Sequence, residues 1–211
     1  MTVHSFFAGG AFLKKPAAGG GAYSTTGSIS FGNRAGYLSV ANFGDVIGTG
    51  DFTIEMFVYL TAGVNGAYTY MFDHDSTSNP QMSFFLGDGQ NSMTGASTYN
   101  TGYHGTTGFT PSTSTWYHVA WSRSSGVSNV YQAGTRTVSY QDATNYAKGS
   151  TTAATLGAPW TSDGTSLTAY PSYVLAGSMS NIRVSNVSRY SGASFTVPTS
   201  GLTVDANTLL M

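Results

Sequence analysis

The sequence predicts an all-β sandwich or barrel, and three observations carry that prediction. Charged residues make up only 8% of the 211-residue chain, against roughly a quarter in an average soluble protein. Their place is taken by 57 Ser and Thr and by 27 Gly. Helix surfaces are normally covered with Glu, Lys and Arg, whereas β-branched Thr and turn-forming Gly suit strands and loops. From Ser28 onward, short runs with apolar residues at every second position alternate with turn signals, the pattern of many short strands packed in layers. No helix longer than one or two turns is required, and no tandem repeat is visible.

Residues 1–27 stand apart as an arm. Phe6, Phe7, Phe12 and Leu13 alternate with Gly, followed by Lys14-Lys15-Pro16 and a Gly19-Gly20-Gly21 hinge. Four large apolar side chains on a Gly-rich leash need somewhere to be buried, and ordering such a segment costs entropy that only extensive contacts offset. The arm therefore reads as a docking segment for a neighbouring subunit, with Lys14 and Lys15 answering an acidic surface. Packing on its own domain is the alternative.

The domain proper spans residues 28–211. Residues 28–31 and 37–40 read as strands around a Gly32-Asn33-Arg34 turn. Residues 51–60 alternate cleanly, with Phe52, Ile54, Met56, Val58 and Leu60 on one face and Thr53, Glu55, Phe57 and Tyr59 on the other. Aromatic residues on both faces predict a strand covered on at least part of each side. Further strands are expected at residues 68–72, 82–86, 117–122, 127–131, 152–156, 174–187 and 208–211. Residues 88–115 read as long loops with one weak strand, and residues 145–172 as a second loop-rich stretch.

Composition also narrows function. With 40% apolar residues, including 14 Tyr, 12 Phe and 3 Trp, the chain can bury a sizeable core. Eight basic against nine acidic residues leave a net charge of −1, with no basic stripe to neutralise phosphates, so nucleic acid is not expected as a partner. Cysteine is absent, which excludes disulfide staples, Cys-based zinc sites and thiol catalysis. No apolar run reaches the ~20 residues of a membrane-spanning helix. The charges Lys14 and Lys15 follow the apolar stretch instead of preceding it, the reverse of a signal peptide. No export signal is therefore visible, which agrees with assembly in a bacterial cytoplasm. A surface this weakly charged has little electrostatic defence against self-association, so an oligomeric assembly is expected.

Three motifs occur in a telling order: Gly50-Asp51-Phe52-Thr53-Ile54-Glu55, then Trp116-Tyr117-His118-Val119-Ala120 closed by Arg123, then Gly177-Ser178-Met179-Ser180-Asn181-Ile182-Arg183-Val184. Together with Ser30-Phe31 and Tyr37-Leu38-Ser39-Val40, this resembles the laminin-G-like branch of the concanavalin A-like lectin (glucanase) sandwiches, from Ser28 to Met211. The resemblance implies a single antiparallel two-sheet jelly roll preceded by the extended arm. It departs at Tyr131-Gln132-Ala133-Gly134, where relatives carry Asn or Asp in place of Ala133, and this leaves the turn geometry open. The run from Arg189 to Pro198, with Tyr190, Phe195 and Thr196, is similar to an element following this strand in tailed-phage versions of the domain. Those versions sit on virion structural proteins.

Candidate chemistry follows from there. Glucanases of this sandwich place their carboxylates at alternating positions of one strand, and retaining hydrolysis needs two of them roughly 5 Å apart. Glu55 is the chain's one Glu and is flanked at those positions by Thr53 and Phe57, so no enzyme is expected and Glu55 reads as a hydrogen-bonded residue of the sheet. His118 reads as a core or inter-sheet histidine. Asp73-His74-Asp75 could hold calcium through Asp73 and Asp75, a site that the resemblance places at a sheet rim. Asp-x-Asp is equally an ordinary turn motif, and the expectation is no cofactor. The ligand candidates are Tyr99, Tyr103, His104, Phe109, Trp160 and Tyr170, read as loop aromatics among Gly, Ser, Thr and Asn. Such aromatics suit stacking against sugar rings or contact with another subunit.

The reading that results is a non-enzymatic structural protein of a tailed-phage virion, a capsid decoration or appendage protein. It is anchored by its arm to other virion subunits and displays a lectin-like domain. The alternative is a carbohydrate-binding module, or a tail-fibre or adhesin component, that recognises cell-surface glycans.

Overall fold

A computed structural model describes residues 27–34, 36–63, 68–74, 80–88, 93–105, 111–149, 152–159 and 171–211. They form thirteen strands: β1 (Ile29–Asn33), β2 (Leu38–Val40), β3 (Phe52–Leu60), β4 (Thr69–His74), β5 (Met82–Asp88), β6 (Met93–Tyr99), β7 (Tyr103–His104), β8 (Trp116–Ser124), β9 (Val127–Gln132), β10 (Thr135–Gln141), β11 (Ala154–Leu156), β12 (Ala176–Ser185) and β13 (Thr208–Leu210). A single 3₁₀ turn, Pro171–Tyr173, is the one helical element among the described residues. Every strand pair is antiparallel.

The strands make two sheets. Sheet I runs β1-β12-β3-β8-β9-β10, with β13 also paired to β12, and sheet II runs β2-β11-β4-β5-β6-β7. β12 arrives from late in the chain to lie between β1 and β3, so the protein is the two-sheet jelly-roll sandwich expected. Between the sheets sits one core. Phe52, Ile54, Met56, Val58 and Leu60 of β3 meet Phe72, Met82, Phe84, Leu86 and Leu156 of sheet II, the face that period-two alternation had picked out on β3.

The other face of β3 is buried as well: Thr53, Glu55 and Phe57 have 2% exposure or less. Residues 186–207 lie across it as a strap. The Arg189 amide donates to Thr53 Oγ1 at 2.8 Å, and the Tyr131 hydroxyl donates to the Gly192 carbonyl at 2.9 Å. The Phe195 amide donates to the Gly134 carbonyl at 2.8 Å, and the Arg136 amide to the Ala193 carbonyl at 2.9 Å. The run from Arg189 to Pro198 is thus the part of the chain that roofs sheet I.

Two expectations are corrected. No strand was expected between residues 131 and 152, yet β10 occupies Thr135–Gln141. It is an edge strand with largely exposed or half-buried side chains, and its apolar alternation is limited to Val138 and Tyr140, too short a run to stand out. In residues 88–115 there are two strands, β6 and β7, where one weak strand was expected. β6 packs small Ala96 and Ser97 beside Leu86 and Phe85 of β5, so the bulk resides on the partner and β6 itself looks featureless. The arm falls outside the described residues. Gly27, where they begin, accepts a hydrogen bond from Ser180 of β12 through its carbonyl.

Candidate functional site

Among the described residues, the densest charged group is buried. Glu55 is fully buried on the outer face of sheet I. Its Oε1 accepts from Arg183 Nε at 2.9 Å and Nη2 at 2.6 Å, and its Oε2 accepts from His118 Nε2 at 3.1 Å and the Tyr190 hydroxyl at 2.7 Å. A bulge in β12 between Ser180 and Arg183, with Asn181 at φ 48°, resets the alternation and turns Arg183 outward opposite Glu55. Burial alone would raise the Glu55 pKa, but hydrogen bonds from His118 and Tyr190, with the charges of His118 and Arg183, outweigh it and hold it low. Burial, with Glu55 alongside, pushes the Tyr190 phenol up, so it remains a donor. His118 lies beneath the strap, edge-on to Phe195 at 5.5 Å, instead of between the sheets. None of these contacts to Glu55 comes from a second carboxylate, so the group has the chemistry of a structural clamp.

An aromatic face forms on the outside of sheet II. Strand register sets Tyr70 opposite Phe85, Ser83 opposite Tyr99 and Tyr99 opposite Tyr103. Tyr68, just before β4, stacks on Tyr103 at 5.8 Å and 9° while its hydroxyl donates to the Tyr103 hydroxyl at 2.6 Å. Phe85 and Tyr173 meet the Tyr68 ring edge-on at 5.1 and 5.3 Å, and Tyr99 meets Tyr103 at 4.6 Å. Phe85 and Tyr68 form the buried base, Tyr70, Tyr99 and Tyr173 are half-buried, and Tyr103 is 43% exposed. Burial, then the neighbouring Asp73, raises the Tyr70 pKa, so its hydroxyl stays neutral. A neutral aromatic platform fringed with hydroxyls can stack on the C–H face of a sugar ring and bond to its hydroxyls.

The expected site residues are therefore divided. Tyr99 and Tyr103 come together on this face, but on β6 and β7 and not on loops. His104, next to Tyr103, points to the opposite side and stacks on Tyr140 of β10 at 3.6 Å and 3°. Asp73 is buried on the outer side of β4, where it accepts a hydrogen bond from Ser83 Oγ at 2.5 Å. Asp75, Phe109, Trp160, Tyr170 and the arm residues lie outside the described residues. Among the described residues no three His, Asp or Glu side chains converge as a metal site. Sequence reasoning missed Tyr68, Tyr70, Phe85 and Tyr173. The i, i+2 spacing of Tyr68 and Tyr70 at a strand was the available signal, because it puts two rings on one face.

With this geometry in view, residues 31–191 match the Laminin_G_3 family, described as the concanavalin A-like lectin/glucanases superfamily. The chain belongs to that family. No curated protein matches the sequence. Three solved structures share the laminin-G-like fold. A Bacteroides ovatus protein proposed to bind carbohydrate has a TM-score of 0.55 at 16% identity, over 73% of this chain and 42% of that one. Domain 4 of AbnA, a GH43 extracellular arabinanase from Geobacillus stearothermophilus solved with arabinotriose, has a TM-score of 0.50 at 14% identity, over 71% and 65%. The native heptameric SAP-like pentraxin of Limulus polyphemus has a TM-score of 0.51 at 13% identity, over 72% and 71%. The laminin-G-like chain thus spans less than half of the first of these and just under two thirds of the second. At these identities the likeness concerns the fold.

Proposed function

We propose that this laminin-G-like domain is a non-enzymatic glycan-binding module whose ligand stacks on the tyrosine face of sheet II. The observation that carries the reading is the ring cluster of Tyr68, Tyr99, Tyr103 and Tyr173, where Tyr103 is solvent-exposed and the phenols beneath it are locked by mutual contacts. Pre-ordered aromatic rings lose little entropy on binding. Two of the fold neighbours are linked to carbohydrate by their own descriptions, which supports the reading. Binding needs no cofactor on this account.

The setting we propose is a tailed-phage virion, as a capsid decoration or appendage protein. It is supported by the resemblance of the strap run from Arg189 to Pro198 to the phage element. The arm, through Phe6, Phe7, Phe12, Leu13, Lys14 and Lys15, docks the domain onto other virion subunits. Replacing Phe6, Phe7 and Phe12 together by Ser then abolishes co-sedimentation with purified particles, and undiminished co-sedimentation contradicts the docking role.

A glycan array probed with the full chain tests the ligand reading. We expect saturable binding to a subset of glycans, retained in EDTA and lost in Tyr103→Ala. Binding unaffected by Tyr103→Ala contradicts the proposed face. Loss in EDTA with recovery on adding calcium contradicts cofactor-free binding and makes Asp73 and Asp75 the residues to replace next.

A further inference from the structure

Strand β7 sends its two side chains in opposite directions, and the side away from the tyrosine face has features of its own. His104 lies flat on Tyr140, so the free edges of the two sheets are tied together by one ring stack. Beside it opens a cleft of 690 Å³ whose polar lining is Asn100, Thr101, His104, Gln141, Thr144 and Asn145. Burial lowers the His104 pKa, against a smaller opposing effect of Asp142, so the ring is neutral at neutral pH. No lining side chain then carries a charge.

The floor of the cleft is fixed. Asn100 Oδ1 accepts from the Thr101 and Gly102 amides, and Asn100 Nδ2 donates to Thr144 Oγ1 at 3.2 Å and Asp142 Oδ1 at 3.4 Å. Asp142 is buried and also accepts from the hydroxyls of Ser128 and Tyr146. Arg123, 3.8 Å from Asp142, is buried and donates to the carbonyls of Gly48, Gly50 and Thr144. Neither charge is therefore offered to a ligand. The amide orientation of Asn100 also sets the histidine tautomer: His104 Nε2 lies 3.3 Å from an oxygen that can only accept, so Nε2 carries the proton and Nδ1 is an acceptor. Within this lining, amides and hydroxyls lie around the His104 imidazole and its acceptor nitrogen, and no cation is available for a phosphate or carboxylate.

We infer that this cleft is a second saccharide subsite that takes a neutral sugar unit, so that an oligosaccharide crossing the β7 edge is held by Tyr103 on one side and by His104, Gln141 and Asn145 on the other. The inference rests on the glycan-binding reading and adds to it the ligand's class, a neutral oligosaccharide, and the direction of its path.

The test is an amide-resolved NMR titration of the full chain with cellotriose, maltotriose and arabinotriose, and with sialyllactose as an anionic control. We expect at least one neutral trisaccharide to shift the signals of Thr101, His104 and Asn145 together with Tyr99 and Tyr103. His104→Ala and the exposed-residue variants Gln141→Ala and Asn145→Ala should each weaken binding by about tenfold, the scale of one lost hydrogen bond or stacking contact. If His104→Ala fails to fold, the other two variants decide. Binding on the tyrosine face with wild-type affinity in the cleft variants overturns the inference and leaves the glycan-binding reading intact. Binding of sialyllactose alone also overturns it, and no binding by any of the four sugars overturns both.

Discussion

At Ala133 the chain accepts a backbone conformation that an L-residue resists. The loop between β9 and β10 is two residues long, Gln132 pairing with Thr135 across it, and Ala133 and Gly134 have φ of 48° and 79°. Positive φ at both central positions marks a type I′ turn, which favours Asn-Gly, so the turn keeps its geometry despite the missing Asn. Holding Ala in the left-handed region costs about 1–2 kcal/mol. Ala133→Asn should recover about 1 kcal/mol of that and raise Tm by roughly 2–4 °C for a chain of this size, measured by calorimetry. An unchanged or lower Tm contradicts the strain argument. Glu55 offers the opposite case. Glu55→Gln leaves Arg183 buried without its counter-charge, and losing one partner of such a pair costs about 3–5 kcal/mol, readable in urea unfolding. Because the folded-state pKa of Glu55 is depressed, its contribution is fully present above the ordinary carboxyl value of 4.5 and is lost as pH falls through the lower folded value. The acid limb of the wild-type stability profile should flatten in Glu55→Gln.

Among the elements, the strap does most to set this sandwich apart. It is held by a stack of Tyr190 on Phe195 at 3.7 Å and 10°, by Phe195 against Tyr131 at 5.3 Å, and by the bidentate Arg189–Asp205 pair at 2.8 and 3.0 Å. The ion pair is at the surface and contributes little, so the aromatic contacts, the Tyr190–Glu55 hydrogen bond and the backbone bonds to Thr53, Gly134 and Arg136 fasten the strap. Phe195→Ala should cost about 1–2 kcal/mol, reduced from a full core deletion because Phe195 is half-buried. Hydrogen exchange at the Arg136 and Arg189 amides should accelerate while that of β3 stays slow. Equal acceleration in β3 would mean that the strap and sheet I open as one unit.

For the molecule as a whole, the strands that line the core are legible in the sequence and those that build the outer face of sheet II are less so. The alternation of residues 52–60 exposed β3, and its aromatic second face announced a second covering layer. The strap could not be located, because half-exposed Tyr190 and Phe195 in a segment of Gly, Ser and Pro carry no period. Tyr99 and Tyr103 stood out as ligand candidates by composition alone. Their partners Tyr68, Phe85 and Tyr173 were hidden because assembling them requires the register of β4, β5 and β6 and the turn before β12. The Gly, Ser and Thr around them group His104 with Tyr103 as loop aromatics, whereas both lie on β7 and the strand pleat sends the two to opposite sides.

The ligand is proposed to lie on the outer face of sheet II. The most direct measurement is a crystal structure of the full chain soaked with the strongest glycan from the array. The predicted result is a sugar ring stacked on Tyr103, with its hydroxyls in reach of Tyr99 or Tyr173. A sugar bound on the strap side of sheet I, with the tyrosine face empty, would contradict it.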